Sequence, residues 1–152
     1  MEDVESIAWT LRLADGAGFL ARVLNTRSTV LYQQLTGQEE VTPRQFGALL
    51  VLHQRGPLTL TELAERISVD RSTLSEMARR LVDNGLISRT GNARDRRSAT
   101  VSLSPKGREV LLRLLPGAAR LQDALLAPLP PSERRQFLRA LRLISGLGTE
   151  AG

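Results

Sequence analysis

A chain of 152 residues, 41% hydrophobic and 24% charged with a formal net charge of +5, suits one domain with a buried core and is too apolar for a disordered polymer. Zero cysteines and one histidine exclude a disulfide scaffold, a thiolate nucleophile or redox sensor, a Cys-based zinc finger and a multi-His metal centre, so no cofactor is expected. No apolar run approaches the roughly 18–20 residues of a membrane helix, and Met1-Glu2-Asp3 is acidic rather than a basic signal region, so a cytoplasmic chain with no membrane partner is expected.

From about Ile7 to Leu35 apolar residues recur at helical spacing (Leu20, Val23, Leu24, Leu31, Leu35), and Gly16 and Gly18 weaken this helix without having to end it. Thr42-Pro43-Arg44-Gln45 is a capping box with Pro at the first helical position, opening a helix that stops at Gly56-Pro57. Thr59-Leu60-Thr61-Glu62 is a second box and starts a short helix. After the turn Ser68-Val69-Asp70, Asp70 caps a helix whose apolar residues Leu74, Met77, Ala78, Leu81 and Val82 form one stripe. Asn84-Gly85 ends it with a left-handed glycine. Leu86 to Thr90 reads as a strand, and Ser98 to Leu103 alternates with Ala99, Val101 and Leu103 inward. The polar loop Gly91 to Arg97 joins them into a two-stranded hairpin. Ser104-Pro105 opens a Leu-rich helix that Pro116-Gly117 should kink or break, and a last helix starts near Pro131.

The charge is distributed unevenly. Twenty of the 21 basic residues are Arg, and Lys106 is the exception. Residues 71–108 hold nine basic and three acidic side chains, a local charge of +6, so the remainder of the chain sums to −1. A positive field confined to one quarter of the molecule suits a surface that meets a polyanion. Helix, tight turn, helix and basic hairpin in that order describe a winged helix-turn-helix. Its second helix fits the major groove of B-DNA, roughly 12 Å wide. The face opposite the apolar stripe carries Arg71, Ser72, Thr73, Ser75, Glu76, Arg79 and Arg80, whose hydroxyls and guanidinium groups suit bases and phosphates. The N–H groups near Thr59 suit a phosphate. Arg96 is the candidate for insertion into the minor groove, with Arg94 and Arg97 on phosphates and Asp95 orienting a neighbouring Arg. The expected fold is mainly α with a small β-hairpin wing: an N-terminal dimerisation helix at 1–36, the winged helix-turn-helix at 42–103 and C-terminal dimerisation helices at 104–148, all in one compact domain.

Five blocks carry a family resemblance: Val41-Thr42-Pro43-Arg44-Gln45-Phe46, the segment Leu58 to Arg66, Val69 to Ser75, Asn84 to Arg89, and the wing Asp95 to Gly107. In this order they resemble the MarR family of bacterial transcriptional regulators over roughly residues 7–146. The resemblance implies an obligate homodimer with interlocked terminal helices, two winged domains on a pseudo-palindromic duplex, and a repressor released by a small aromatic or anionic ligand. The residues agree on the dimer, since 1–35 and 104–146 supply Leu-rich helices with no internal partner large enough to cover both. Trp9 suits an interface anchor. The Thr42–Arg89 region also resembles regulators of aromatic-acid breakdown.

Arg22, Tyr32, Phe46 and His53 lie on the helices that border the family's ligand pocket and have suitable chemistry. Each also has a plain alternative: Phe46 as core, His53 as a helix-end residue and Arg22 as surface. The ligand would stabilise a dimer whose recognition helices miss successive major grooves, about 34 Å apart. The competing reading is a winged-helix module whose wing binds a protein and not DNA. No nucleophile–base pair, phosphate-cradling glycine loop or metal cluster is present in the sequence, so an enzyme is not expected.

Overall fold

The computed structural model describes residues 4–37, 41–91 and 99–148. Among these residues the elements run α1 (Val4–Thr10), a 3-10 turn (Leu13–Asp15), α2 (Ala17–Thr36), α3 (Pro43–Arg55), β1 (Leu58–Thr59), α4 (Leu60–Arg66), α5 (Arg71–Asp83), β2 (Ile87–Thr90), β3 (Thr100–Leu103), α6 (Pro105–Leu126) and α7 (Pro131–Ile144). They group into a central unit, 32–119, and a terminal unit formed by 1–31 with 120–152.

Short-range hydrogen bonds start the helices of the central unit. Both capping boxes close: Thr42 N–H donates to Gln45 Oε1 at 2.9 Å while its hydroxyl accepts from the Gln45 N–H, and Thr59 and Glu62 repeat the arrangement. Gly56, at φ +80°, ends α3 in the left-handed region that suits a residue without Cβ. The apolar faces of α3, α4 and α5 then meet in one core that includes Leu49, Leu52, Leu63, Leu74, Leu81, Val101, Leu111 and Leu114. Burying a Leu side chain contributes about 2 kcal/mol, so this cluster dominates the stability of the unit.

The strands form an antiparallel sheet in the order β1-β3-β2. Ala99 and Val101 point into the core as the alternation predicts, Leu103 packs against it half-buried, and Ile87 of β2 is buried beside them. On the other face Ser88 pairs with Ser102 and Thr90 with Thr100 through hydroxyl hydrogen bonds of 2.9 and 2.8 Å, which fix the register. The hairpin therefore gains a third strand: Leu58 and Thr59 pair with Val101 and Thr100.

Two further expectations are corrected. The N-terminal helix is interrupted at Arg12–Gly16, where Arg12 and Gly16 are extended and the 3-10 turn lies between them. Gly16 costs about 1 kcal/mol inside a helix, and here it serves both ends, donating its N–H to Leu13 O and accepting the Leu20 N–H. Conversely, α6 runs unbroken through Pro116. A Cβ on Gly117 would lie 2.2 Å from Leu35 O, so α6 meets the end of α2 backbone to backbone, and this packing outweighs the one hydrogen bond Pro116 cannot donate.

In the terminal unit the described residues leave much of their apolar surface uncovered. Neither α1 nor α7 has a buried residue. Trp9 is 89% exposed and Ile144 80%, and Leu11, Leu13 and Leu143 are exposed too.

Candidate nucleic-acid interface

The turn between α4 and α5 places Ser68 at φ +54°, and Asp70 then caps α5. Asp70 Oδ1 accepts the Thr73 N–H at 2.8 Å and the Ser72 hydroxyl at 2.6 Å, while Oδ2 accepts the Thr73 hydroxyl. These donors, the Ser72 hydroxyl foremost, hold the Asp70 carboxyl well below the usual carboxylate range. The Ser75 hydroxyl donates to Arg71 O at 2.9 Å. All three hydroxyls thus commit their protons within the helix and keep lone pairs to offer outward.

Below this cap the exposed face carries a chain of ion pairs. Glu76 Oε1 accepts from Arg79 Nη2 at 2.9 Å and from Arg80 Nε at 3.0 Å, and Arg79 Nη1 reaches Asp83 Oδ2 at 3.2 Å. The two guanidinium groups, Arg79 first, lower the Glu76 carboxyl, and Glu76 in turn raises Arg79. Between residues 70 and 83 three acidic and three basic side chains cancel. Of the +6 charge of residues 71–108, α5 itself therefore carries only +1, and the other +5 follows it in the chain.

The far end of α5 is clamped. Gly85, at φ +70°, turns the chain out of the helix, the Ser104 hydroxyl donates to Gly85 O at 2.6 Å, and Lys106 Nζ donates to Asn84 O at 2.9 Å. Ser104 Oγ also accepts the Gly107 N–H and so caps α6. A Cβ on Gly107 would lie 1.9 Å from Leu86 O. The only lysine of the chain therefore places its charge at a helix C-terminus, where the dipole favours it.

Arg71, Ser72, Ser75 and Arg79 line one open cleft with Leu60 and Arg89. Arg89 is the member the sequence did not single out. Its signal was the register of β2, where Ile87 is buried and the next three residues are exposed. Thr73 stands half-buried on the other flank of α5, in a groove with Thr42, Arg44, Glu76 and Arg80. The Thr59 hydroxyl and N–H are both engaged with Glu62, whose carboxylate they hold below its ordinary range, so Thr59 stands as a cap. Arg94, Arg96 and Arg97 lie outside the described residues.

Of the expected ligand residues, Tyr32 and Phe46 meet edge to face, with ring centroids 5.9 Å apart and Tyr32 buried. His53 is exposed and lines a separate cleft of about 560 Å³ with Leu52, Pro57, Ser102, Ser104 and Arg108. Arg22, in the terminal unit, lies 5.9 Å from the centre of the Phe19 ring.

Residues 41–99 match the model of the MarR family. The transcriptional repressor NicR of Pseudomonas putida is 28% identical over 92% of this chain and 89% of its own. The PcaV transcriptional regulator of Streptomyces coelicolor, solved in complex with its natural ligand, superposes with a TM-score of 0.81 at 31% identity, over 90% of this chain and 96% of its own. The transcriptional repressor CouR, solved on a 23-mer DNA duplex, gives 0.75 at 29% identity, over 88% and 94% of the two chains.

Proposed function

The chain belongs to the MarR family of transcriptional regulators, and from that premise we propose that it is a homodimeric, sequence-specific repressor that reads a pseudo-palindromic duplex and leaves it when a small ligand binds. One observation carries the reading: Arg71, Ser72, Ser75 and Arg79 share a cleft with Arg89 on the exposed side of a helix that is capped at one end and clamped at the other. Such a helix offers donors and acceptors to base edges on a fixed scaffold. Arg94 and Arg97 take phosphates and Arg96 the minor groove. Thr73 serves the second flank of the helix. The protein works by binding, not by turnover, where the chromosome is, in the cytoplasm.

CouR is a repressor seen on DNA and PcaV a regulator seen with a ligand, which supports both halves of the cycle. For the ligand we propose a small aromatic or anionic molecule, for which the central unit offers the Tyr32–Phe46 ring pair and, in a separate cleft, His53. Arg108 gives the cleft that His53 lines a cationic wall. The uncovered apolar residues of the terminal unit, Trp9 and Ile144 foremost, supply the surface for the second copy.

Fluorescence anisotropy against the DNA flanking the gene, beside a scrambled duplex and over a range of salt, tests the reading. Tight, salt-dependent binding with preference over the scramble is expected. Arg96→Ala should weaken that binding by more than about 1 kcal/mol, and the pair Arg94→Ala with Arg97→Ala should flatten the salt dependence. Failure to bind any duplex at low salt would refute the DNA reading in favour of a wing that binds protein.

A further inference from the structure

The buried stripe of α5 is Leu74, Met77, Ala78 and Leu81. At 100° per residue, the middle of the opposite side is the row Ser72, Glu76, Arg79 and Asp83. Two of the three charged groups in this row, which α5 would lead into a groove walled by phosphates, are therefore carboxylates. Glu76 receives two arginines on one oxygen, and its other oxygen lies 3.4 Å from Arg79 Nε. Arg79 is stretched along the helix surface between Glu76 and Asp83 instead of pointing outward.

We propose that Glu76 is a specificity-determining residue, which restrains Arg79 and Arg80 so that α5 engages poorly with phosphates and fully only with the right bases. This inference rests on the DNA-binding function above. On an arbitrary duplex, an arginine that turns to a phosphate leaves Glu76 behind, and the freed carboxylate faces the polyanion. On the right sequence the same opening is compensated. Arg79 can bond bidentately to guanine O6 and N7, and Glu76 can accept from cytosine N4. Exposed ion pairs are weak, so the restraint costs little in the specific complex. Its effect is a difference between two affinities, which is what specificity requires. Asp83 holds only Arg79, through one nitrogen, and contributes less.

The test uses the full chain. A preferred duplex is selected by the wild type from a random-sequence library, and that duplex and its scramble are titrated at one salt concentration with wild type, Glu76→Gln and Glu109→Gln. Glu109 is an exposed acid on α6, so its variant removes the same charge elsewhere. The expected result is that Glu76→Gln binds the scramble about fivefold more tightly, gains less on the preferred duplex, and loses at least about threefold in preference. Its log–log salt slope on the scramble steepens by about one, as for one added phosphate contact. Glu109→Gln should keep the wild-type preference. An unchanged preference in Glu76→Gln, or an equal loss in Glu109→Gln, overturns the inference and leaves the DNA-binding reading intact. A wild type that enriches no sequence from the library overturns that reading itself, and the inference with it. Thermal melts of both variants confirm that folded proteins are being compared, and Glu76→Asp, which keeps the charge, should retain more of the preference than Glu76→Gln.

Discussion

The central and terminal units treat their apolar residues in opposite ways. Between Tyr32 and Ala119 lies every buried hydrophobic of the described residues except Leu126, and Ala48, Leu49, Leu63, Leu74, Val101 and Leu111 have no exposed surface at all. In the terminal unit Val4, Trp9, Leu11, Leu13, Leu143 and Ile144 remain open to solvent. The terminal unit is not short of apolar side chains, and the difference lies in whether one chain covers them. The central unit is complete as a single copy. In the homodimer proposed above the terminal one acquires its core on pairing, which makes its order depend on protein concentration in a way that the central unit's does not.

The sharpest way to break this contrast is one substitution made twice. Gly107→Ala brings a methyl within 1.9 Å of Leu86 O in the central unit, whereas Gly18→Ala, in α2, meets nothing within 4 Å. The first should cost several kcal/mol or prevent accumulation of folded protein, and the second should stabilise by roughly 0.5–1 kcal/mol. Thermal melts with the same sign for both would refute the contrast. Next in size, Leu63→Ala should lose about 2–5 kcal/mol at any protein concentration. Ile144→Ala should change the melting of dilute protein little and yet raise the dimer dissociation constant in sedimentation equilibrium. The smallest effect sharpens the account of α5 within the central unit. The folded-state pKa of Asp70 is depressed, so its contribution is present above the ordinary aspartate value of 3.8 and is lost as pH falls through the lower folded value. The difference in melting temperature between wild type and Asp70→Ala should therefore be constant near neutrality and shrink only in strong acid. A gap that closed already near pH 6 would assign the cap to another group.

What the sequence disclosed follows from the range of the interactions. The capping boxes at Thr42 and Thr59, the Asp70 cap and the helix ends at Gly56 and Gly85 involve residues a few positions apart, and the structure reproduces each of them. The alternation of Ala99, Val101 and Leu103 was equally visible. Strand β1 was not, since two residues display no period and its partner lies elsewhere in the chain. At Pro116 a local rule about proline stands against a distant contact, Gly117 on Leu35, that no local pattern announces. At the candidate site the bulk charge was legible but its pairing was passed over, although Glu76, Arg79, Arg80 and Asp83 stand at the i,i+3 and i,i+4 spacings where such pairs form. Arg89 enters the cleft through strand register, which needs β3 to be fixed.

Strand β1 also sets an order of events as the chain folds. The ladder of β2 on β3 closes over a short connection, but Leu58 and Thr59 pair with residues more than forty positions away, and that longer loop has to be closed at an entropic cost before the reward of two paired residues arrives. Because α4 starts directly after β1, this pairing ties the start of the first helix of the helix-turn-helix to β3. Interactions that form after the rate-limiting step slow unfolding without speeding folding. Truncation of Leu58 to Ala should accordingly show in stopped-flow kinetics almost wholly as faster unfolding, so that β1 governs how long the helix-turn-helix persists once it has formed and has little say in how quickly it forms.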